Sequence, residues 1–390
     1  MESFAVKTEI RIERDLAKGI AQILEEEKSG NVLVFADIHV YQHPQVTRMM
    51  EAISEGRKTE LVKLPEGEPT TAMVNQYADL YRDWADWKDG SGMLVAIGGG
   101  AIMDFTKALS GMLVYEGKVE RYQLELIPYQ NDVVKKIAVP TTAGTGAEIS
   151  KYGVLINEDA KYKRGVTGPG VPPDYALLCA ELGVTVPVGA TVACGMDAMA
   201  HAMESYVSAW ANRMSKMYSK EAFVRLYHAL PKVAEDLKNI DLREEMLYGS
   251  CLAGCAITNA NTGACHGMSY APGVYFKVPH GVAISIFYVE SMLVNMDKGC
   301  TTPYAELYEA IGFKRSGDDT KDAYAFAEVM RAYEPLVKYG KTLFDYGVKK
   351  EDCEWLAKEA MKNVGGFRSN PVPCDLNDGL RCYRKALNID

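Results

Sequence analysis

Four side chains of this sequence form a set that chemistry would use together. Asp197 and His201 sit in GMDAMAHAMES, and His266 and His280 in ACHGMSYAPGVYFKVPHG. The first pair is four apart in an Ala/Met-rich run of good helix formers, so both project from one helix face. Alone, such a pair is more often a solvated or locally paired couple. The second stretch alters that reading. The chain has six histidines, and two of them fall in one Gly-punctuated, nearly uncharged segment where a bland surface role does not fit. One carboxylate with three imidazoles suits a borderline divalent ion, Fe2+ or Zn2+. It does not suit Ca2+ or Mg2+, which take all-oxygen shells.

The elements that must position these groups change character along the chain. In the first half, apolar strands alternate with amphipathic helices. The start of the chain reads as strand, helix, strand, with Leu16, Ile20, Ile23 and Leu24 at helical spacing, then NVLVFAD as a strand ending in Asp37. A helix over 46–55, a strand TELVKLP, a helix over 74–87 and the strand GMLVAIGGG follow. KKIAVP, YGVLIN and YALLCAE read as further short strands. Such alternation implies a parallel sheet with right-handed crossovers. Beyond Pro187 strand patterning stops. Helices are expected over 198–210, 219–237, 243–260, 302–312, 323–340 and 351–363. The expected organisation is an α/β domain with a parallel sheet over 1–186 and an all-helical domain over 187–390.

Two loops of the first domain have the chemistry of a phosphate cradle. Gly98, Gly99 and Gly100 end an apolar strand and open the helix AIMDFTK. They lack Cβ atoms, so a ligand can approach their backbone, and the helix offers free N–H groups and a positive dipole end. The pattern is not G-x-G-x-x-G. Asp104 and Lys107, on the first turns of that helix, read either as site groups or as a local surface pair. The loop PTTAGTGAE supplies the hydroxyls of Thr141, Thr142 and Thr145, with Gly144 and Gly146 allowing backbone approach. Two such loops at strand ends suit a dinucleotide lying across a parallel sheet. Asp37 is placed to accept hydrogen bonds from a ribose, and its charge would repel a 2′-phosphate, favouring NAD(H) over NADP(H).

Composition excludes several other classes. The net charge is −9 with no basic block, against binding to nucleic acid or an anionic membrane surface. No apolar run reaches the roughly 18 residues a membrane span needs. The start MESFAVKTEIRIERD is too charged for a signal peptide. Nine cysteines without a C-x-x-C read as reduced, mostly core thiols of a cytoplasmic protein, Cys251 and Cys255 lying in a buried helix.

With these pieces together, the chain resembles the iron-containing, or group III, alcohol dehydrogenase family over nearly its whole length. The resemblance rests on GGGAIMDFTK, AVPTTAGTGAE, GMDAMAHAMESY and the CHG…VPHG pair, in that order. It implies a Rossmann-like N-terminal domain followed by a helical one. Asp197, His201, His266 and His280 would then bind one divalent ion, with Fe2+ the first choice and Zn2+ or Mn2+ the alternatives. Gly98 to Gly100, Thr141, Thr142, Thr145 and Lys163 would touch NAD(H), with Asp37 at the adenosine ribose; Asp104, on the helix after the glycines, is a further candidate for cofactor binding. A homodimer or larger homo-oligomer is implied as well.

One departure bears on substrate. Many members carry a second histidine four residues after the third ligand, and here that position is Tyr270. HGMSY is locally similar to the 4-hydroxybutyrate dehydrogenase branch. Tyr270 reads as a substrate-orienting hydroxyl more than a proton donor, because an unperturbed phenol has a pKa near about 10. Lys277, with Lys151 and Arg368, supplies cations around the expected site. The reading is reduction of a short aldehyde bearing an acidic group, such as a semialdehyde, a sulfo- or a phosphonoacetaldehyde. The alternatives are a neutral alcohol or diol dehydrogenase and a non-catalytic dinucleotide sensor. A dehydroquinate synthase-type activity is disfavoured, since that ligand set usually includes a Glu.

Overall fold

The computed structural model describes residues 3–160, 162–337, 340–362 and 364–389. They divide into two compact units: Val6–Val186 with Lys238–Leu247, and Met1–Ala5 with Pro187–Leu237 and Tyr248–Asp390.

The first unit is α/β. Its strands are β1 (Glu9–Ile12), β2 (Asn31–Asp37), β3 (Lys58–Leu64), β4 (Gly92–Gly98), β5 (Lys135–Pro140), β6 (Gly153–Asn157), β7 (Tyr162–Val166) and β8 (Tyr175–Leu178). Six of them form a parallel sheet in the order β1-β8-β5-β4-β2-β3. The helices are α1 (Leu16–Glu26), α2 (Pro44–Ser54), α3 (Thr71–Tyr81), α4 (Gly100–Met112) and α5 (Val119–Leu124). Both sheet faces are covered. Val32, Val34 and Ala36 of β2 pack with Leu16, Ile20, Val46 and Met49 of α1 and α2. The intervening Leu33 and Phe35 pack with Val74, Ala78, Ile102 and Phe105 of α3 and α4. A strand buried on both faces is an unbroken apolar run, which is why NVLVFAD and GMLVAIG are legible in sequence.

The chain moves from β2 outward to β3, then returns to place β4 on the other side of β2. The strand order therefore reverses between β2 and β4, whose last residues are Asp37 and Gly98. Open α/β sheets bind ligands in the crevice at that reversal.

Several elements differ from expectation. α3 ends at Tyr81, not at residue 87, because the Trp87 indole N–H donates to the Tyr81 carbonyl at 2.8 Å and turns the chain back. YGVLIN is a strand, but β6 pairs antiparallel with β7, outside the main sheet. β7 itself, YKRGV, hides behind its charges, and Lys161 before it lies outside the described residues.

The second unit contains α6 (Val188–Val207), α7 (Arg213–Glu235), the later part of α8 (Ile240–Ala260), α9 (Ala264–Phe276), α10 (His280–Asp297), α11 (Thr302–Ala310), α12 (Asp319–Leu336), α13 (Cys353–Met361), α14 (Val364–Phe367) and α15 (Leu376–Ala386). Residues 338, 339 and 363, at the ends of two expected helices, lie outside the described residues. The main difference is α9 and α10. The sequence shows there a stretch broken by glycines and prolines, and the structure shows two helices with a short turn. Its glycines are packing devices. A Cβ on Gly267 would fall 2.5 Å from the Phe367 ring, and one on Gly281 would fall 2.2 Å from the Ala193 carbonyl oxygen of α6.

Gly281→Ala should therefore destabilise by about 1–3 kcal/mol, since a backbone carbonyl cannot step aside like a side chain. Gly30→Ala, with nothing within 4 Å of the added Cβ, should change stability by no more than about 0.5 kcal/mol. Denaturant unfolding of the two variants measures the difference, and equal midpoints would contradict it.

Candidate functional site

The four expected ligands converge in the helical unit. Asp197 and His201 stand one turn apart on α6, His266 is the third residue of α9, and His280 is the first of α10. The first three are buried and His280 is half-buried. Asp197 Oδ1 lies 3.8 Å from His201 Nε2, 3.4 Å from His266 Nε2 and 3.6 Å from His280 Nε2. His201 and His266 bring their Nε2 atoms within 2.9 Å of each other. Ligand atoms roughly 2.0–2.2 Å from a shared tetrahedral ion sit roughly 3.4 Å apart, so the spacing fits a metal centre. Asp197, His201 and His266 alone form a compact ligand group.

A second observation supports that fit. Among the described residues, the buried Asp197 Oδ1 has no hydrogen-bond partner. Leaving such an atom unsatisfied costs about 1–3 kcal/mol or more, and a cation among the donors removes the cost. Burial would raise the Asp197 carboxyl, but His201, His280 and His266 outweigh it and hold it well below the usual carboxylate range. Burial lowers the His266 imidazolium, but Glu204 and Asp197 outweigh that and push it up to about 9.

Glu204 was not foreseen in the sequence. It follows Asp197 by seven and His201 by three, so it shares their helix face. It is buried, and its Oε2 accepts a hydrogen bond from His266 Nδ1. The signal that could have found it is an acid at i, i+4, i+7 register in an otherwise Ala/Met-rich helix.

The remaining expected site groups are placed as follows. Tyr270 lies one turn beyond His266 on α9, half-buried, its ring centroid 6.1 Å from that of His280 at an interplanar angle of 29°. Lys277 closes α9 in the left-handed conformation, φ 55°, and is exposed. Arg368 is exposed as well. Lys151 belongs to the α/β unit, is exposed, and holds its Nζ 5.6 Å from the Tyr152 ring. All three side chains are exposed, although partial burial lowers the Lys151 ammonium.

The glycine turn and the Thr/Gly loop touch each other in the α/β unit. The Thr141 N–H donates to the Gly98 carbonyl at 3.0 Å. A Cβ on Gly100 would fall 2.7 Å from Thr145 Oγ1, and one on Gly98 would fall 3.0 Å from Asp37 Cβ. Gly99 lies next to Thr142, with 3.5 Å from its would-be Cβ to Oγ1, and begins α4 without a side-chain cap. Asp37, Gly98, Gly99, Gly100, Thr141, Thr142 and Thr145 are thus neighbours at the ends of β2, β4 and β5. Gly146, at φ 62°, lets the loop turn.

Asp104 and Lys107 are no surface pair. Lys107 is 1 % exposed, and its Nζ donates to Asp104 Oδ1 at 3.0 Å, Ser150 Oγ at 3.0 Å and the Tyr152 carbonyl at 2.8 Å. The cause is β6, which packs over α4 so closely that Gly153 leaves only 3.2 Å between its would-be Cβ and Lys107. Lys163, on β7, is ion-paired with Glu68 at 2.6 Å.

Known protein families match both halves of the chain. The description "Iron-containing alcohol dehydrogenase" matches residues 7–179, and "Fe-containing alcohol dehydrogenase family, C-terminal" matches residues 191–387. The NAD-dependent methanol dehydrogenase of Bacillus methanolicus is 28% identical over 401 aligned positions, 99% of this chain and 100% of that protein. The choline dehydrogenase of Bacillus subtilis (strain 168) is 30% identical over 366, covering 92% and 89%. In fold, the crystal structure of sulfoacetaldehyde reductase from Bifidobacterium kashiwanohense in complex with NAD+ superposes with a TM-score of 0.88, at 24% identity and full coverage of both chains.

A pH dependence follows from the centre's electrostatics. In the metal-free protein His266 holds its extra proton up to pH about 9, and a ligand imidazole must lose it. Zn2+ affinity should therefore rise with pH by up to about tenfold per unit below 9 and flatten above it. Competition with a chromogenic chelator from pH 7 to 9.5 reads this. A flat affinity over that range would show that His266 is not displaced from a proton by the ion.

Proposed function

Because this chain belongs to the iron-containing alcohol dehydrogenase family, we propose that it is a metal-dependent, NAD(H)-linked alcohol dehydrogenase or aldehyde reductase. The observation that carries this is the buried Asp197 Oδ1, without a hydrogen bond, facing three imidazole Nε2 atoms. Residues 1–186 are proposed as the dinucleotide-binding part and residues 187–390 as the metal-binding part. When bound, a divalent ion, Fe2+ first, supplies Lewis acidity to the substrate oxygen while the nicotinamide accepts or delivers hydride.

The chain's own residues do the rest. Asp197 contributes one negative charge, and His201, His266 and His280 contribute neutral donors. Gly98, Gly99 and Gly100 leave the start of α4 open to a pyrophosphate, with the Thr141, Thr142 and Thr145 hydroxyls beside it. Asp37 accepts from ribose hydroxyls and repels a 2′-phosphate. Asp104 and Lys163 line the same region, each already engaged with a basic or acidic neighbour. Tyr270 orients the substrate next to His280, and Lys277 is the substrate-side cation nearest in sequence to the ligands. We further propose a homo-oligomer. A reducing, cytoplasmic setting suits the nine free cysteines.

The proposed substrate is a short aldehyde or primary alcohol carrying an acidic group, with Lys277, Lys151 or Arg368 as its anchor. The exposure of all three favours a second reading, a neutral alcohol or diol. The relatives' names span the choice: methanol is neutral, choline cationic and sulfoacetaldehyde anionic.

A kcat/KM panel of succinic semialdehyde, sulfoacetaldehyde and phosphonoacetaldehyde against butyraldehyde and lactaldehyde separates the two. A charge-assisted anchor contributes about 1.5–3 kcal/mol, roughly one to two decades in kcat/KM. The acidic aldehydes should win by that margin, and Ala at the anchor position should abolish it. Neutral aldehydes ahead by a decade would establish the second reading. For the cofactor, NADH should be preferred to NADPH, and Asp37→Gly should relax the preference. A wild type faster with NADPH would remove Asp37 from the ribose.

A further inference from the structure

Glu204 touches the ligand set from behind and does two things at once. It is 4 % exposed. Its Oε2 accepts from His266 Nδ1. Its Oε1 accepts the backbone N–H of Cys265 at 2.7 Å and that of His266 at 3.4 Å. Cys265 and His266 belong to the first turn of α9, where N–H groups have no partner within the helix. The neighbouring Ala264 N–H donates to Asn370 Oδ1 at 3.0 Å. Gly263 makes the approach possible, since a Cβ there would fall 3.0 Å from Glu204 Oε1 and 2.9 Å from Asn370 Oδ1.

The proton position on a histidine ring is set by what the other nitrogen meets. An acceptor at Nδ1 keeps the proton there. The Nε2 lone pair is then left for the side facing Asp197 Oδ1 and His201 Nε2. We propose that Glu204 is a positioning residue of the metal centre. One oxygen holds His266 as the Nδ1–H tautomer and the other holds the start of α9, so one carboxyl sets both the ligand's chemistry and its place. This rests on the reading that Asp197, His201, His266 and His280 hold a divalent ion.

Glu204→Gln separates the two roles. The amide oxygen can still accept from Cys265 and His266 N–H groups, while its NH2 now faces Nδ1. That donor demands the Nε2–H tautomer, which blocks ligation. A plain helix cap would be unaffected. Expected for E204Q are a metal-free unfolding midpoint near that of the parent protein and a 10–100-fold loss of Zn2+ affinity by chelator competition. The visible bands of the Co2+-loaded protein should weaken through the loss of a ligand. Asn370→Ala, which removes the adjacent cap bond but not the Nδ1 contact, should keep Zn2+ affinity within about threefold.

Parent-like Zn2+ affinity and Co2+ bands in E204Q would overturn the proposal, as would an equal loss in N370A. His201→Ala tells this apart from failure of the ligand set. If H201A binds Zn2+ like the parent, the metal reading itself fails. If H201A loses the ion and E204Q does not, only the role of Glu204 fails. Should E204Q not fold, the Zn2+-loaded parent protein decides, with 15N-histidine labelling. An exchange-sheltered, far-downfield Nδ1–H resonance is expected for His266, and its absence would overturn the proposal.

Discussion

A carboxylate oxygen buried among three imidazoles is the constraint on which the helical unit depends. Among the described residues Asp197 Oδ1 has no hydrogen bond, and three imidazole nitrogens lie within 3.8 Å of it. Without a cation, the charge of the nearby imidazoles keeps Asp197 ionised, and Glu204 and Asp197 push the His266 imidazolium up to about 9. The geometry is set by three helices. α6 contributes two ligands one turn apart, and α9 and α10 each contribute one at or near their first residue. Helix starts carry partial positive charge, which opposes a charged imidazole and a bare cation alike. Asp197 and Glu204 supply the compensating negative charge, both from α6. The chemistry of the ion site and the capping of α9 are therefore parts of one electrostatic balance.

In the α/β unit the corresponding constraint is steric. Asp37 and Gly98 end adjacent strands at the reversal of strand order. A side chain at position 98 would collide with Ile102 and press on Asp37, and one at position 100 would collide with Thr145. The glycines thus let the turn, the Thr/Gly loop and Asp37 lie against one another. The buried Lys107 works in the same region from beneath, tying Asp104 to the segment after the loop through Ser150 and Tyr152.

Legibility in the sequence followed burial. Strands covered on both faces, such as β2 and β4, appear as unbroken apolar runs, and the ligand set and both loops stood out by residue type. What stayed hidden has identifiable causes. Gly267 and Gly281 look like helix breakers but are contact points for Phe367 and Ala193, so α9 and α10 could not be separated from loop. β7 carries Lys163 and Arg164 on a strand whose register with β6 only the fold reveals. Glu204 stayed hidden because a single acid in an Ala/Met-rich helix looks like a solvated surface charge. The burial of Lys107 depends on β6 covering α4, a contact between segments some 45 residues apart in the chain. The three cations are the opposite case. Their types suggested an anion pocket, but a long charged side chain can reach water from most surface positions, so type alone does not place it.

The turn between α9 and α10 shows which demand prevails when local preference and the site conflict. Lys277 adopts φ 55°, ψ 32°, a left-handed conformation that costs an L-residue with a Cβ about 1–2 kcal/mol. Glycine would take it freely. Its carbonyl-side neighbour Val278 donates back to Pro272 at 3.3 Å, which closes α9 abruptly, and Pro279 then starts α10 with His280 as its first residue. A looser connection would relieve the backbone but would let His280 drift from the oxygen that His201 and His266 already face. Convergence of ligands from three helices on one atom leaves no such freedom. Lys277 thus takes its strained conformation at the turn that brings His280 to within 3.6 Å of Asp197 Oδ1, and its exposed side chain stands on that turn.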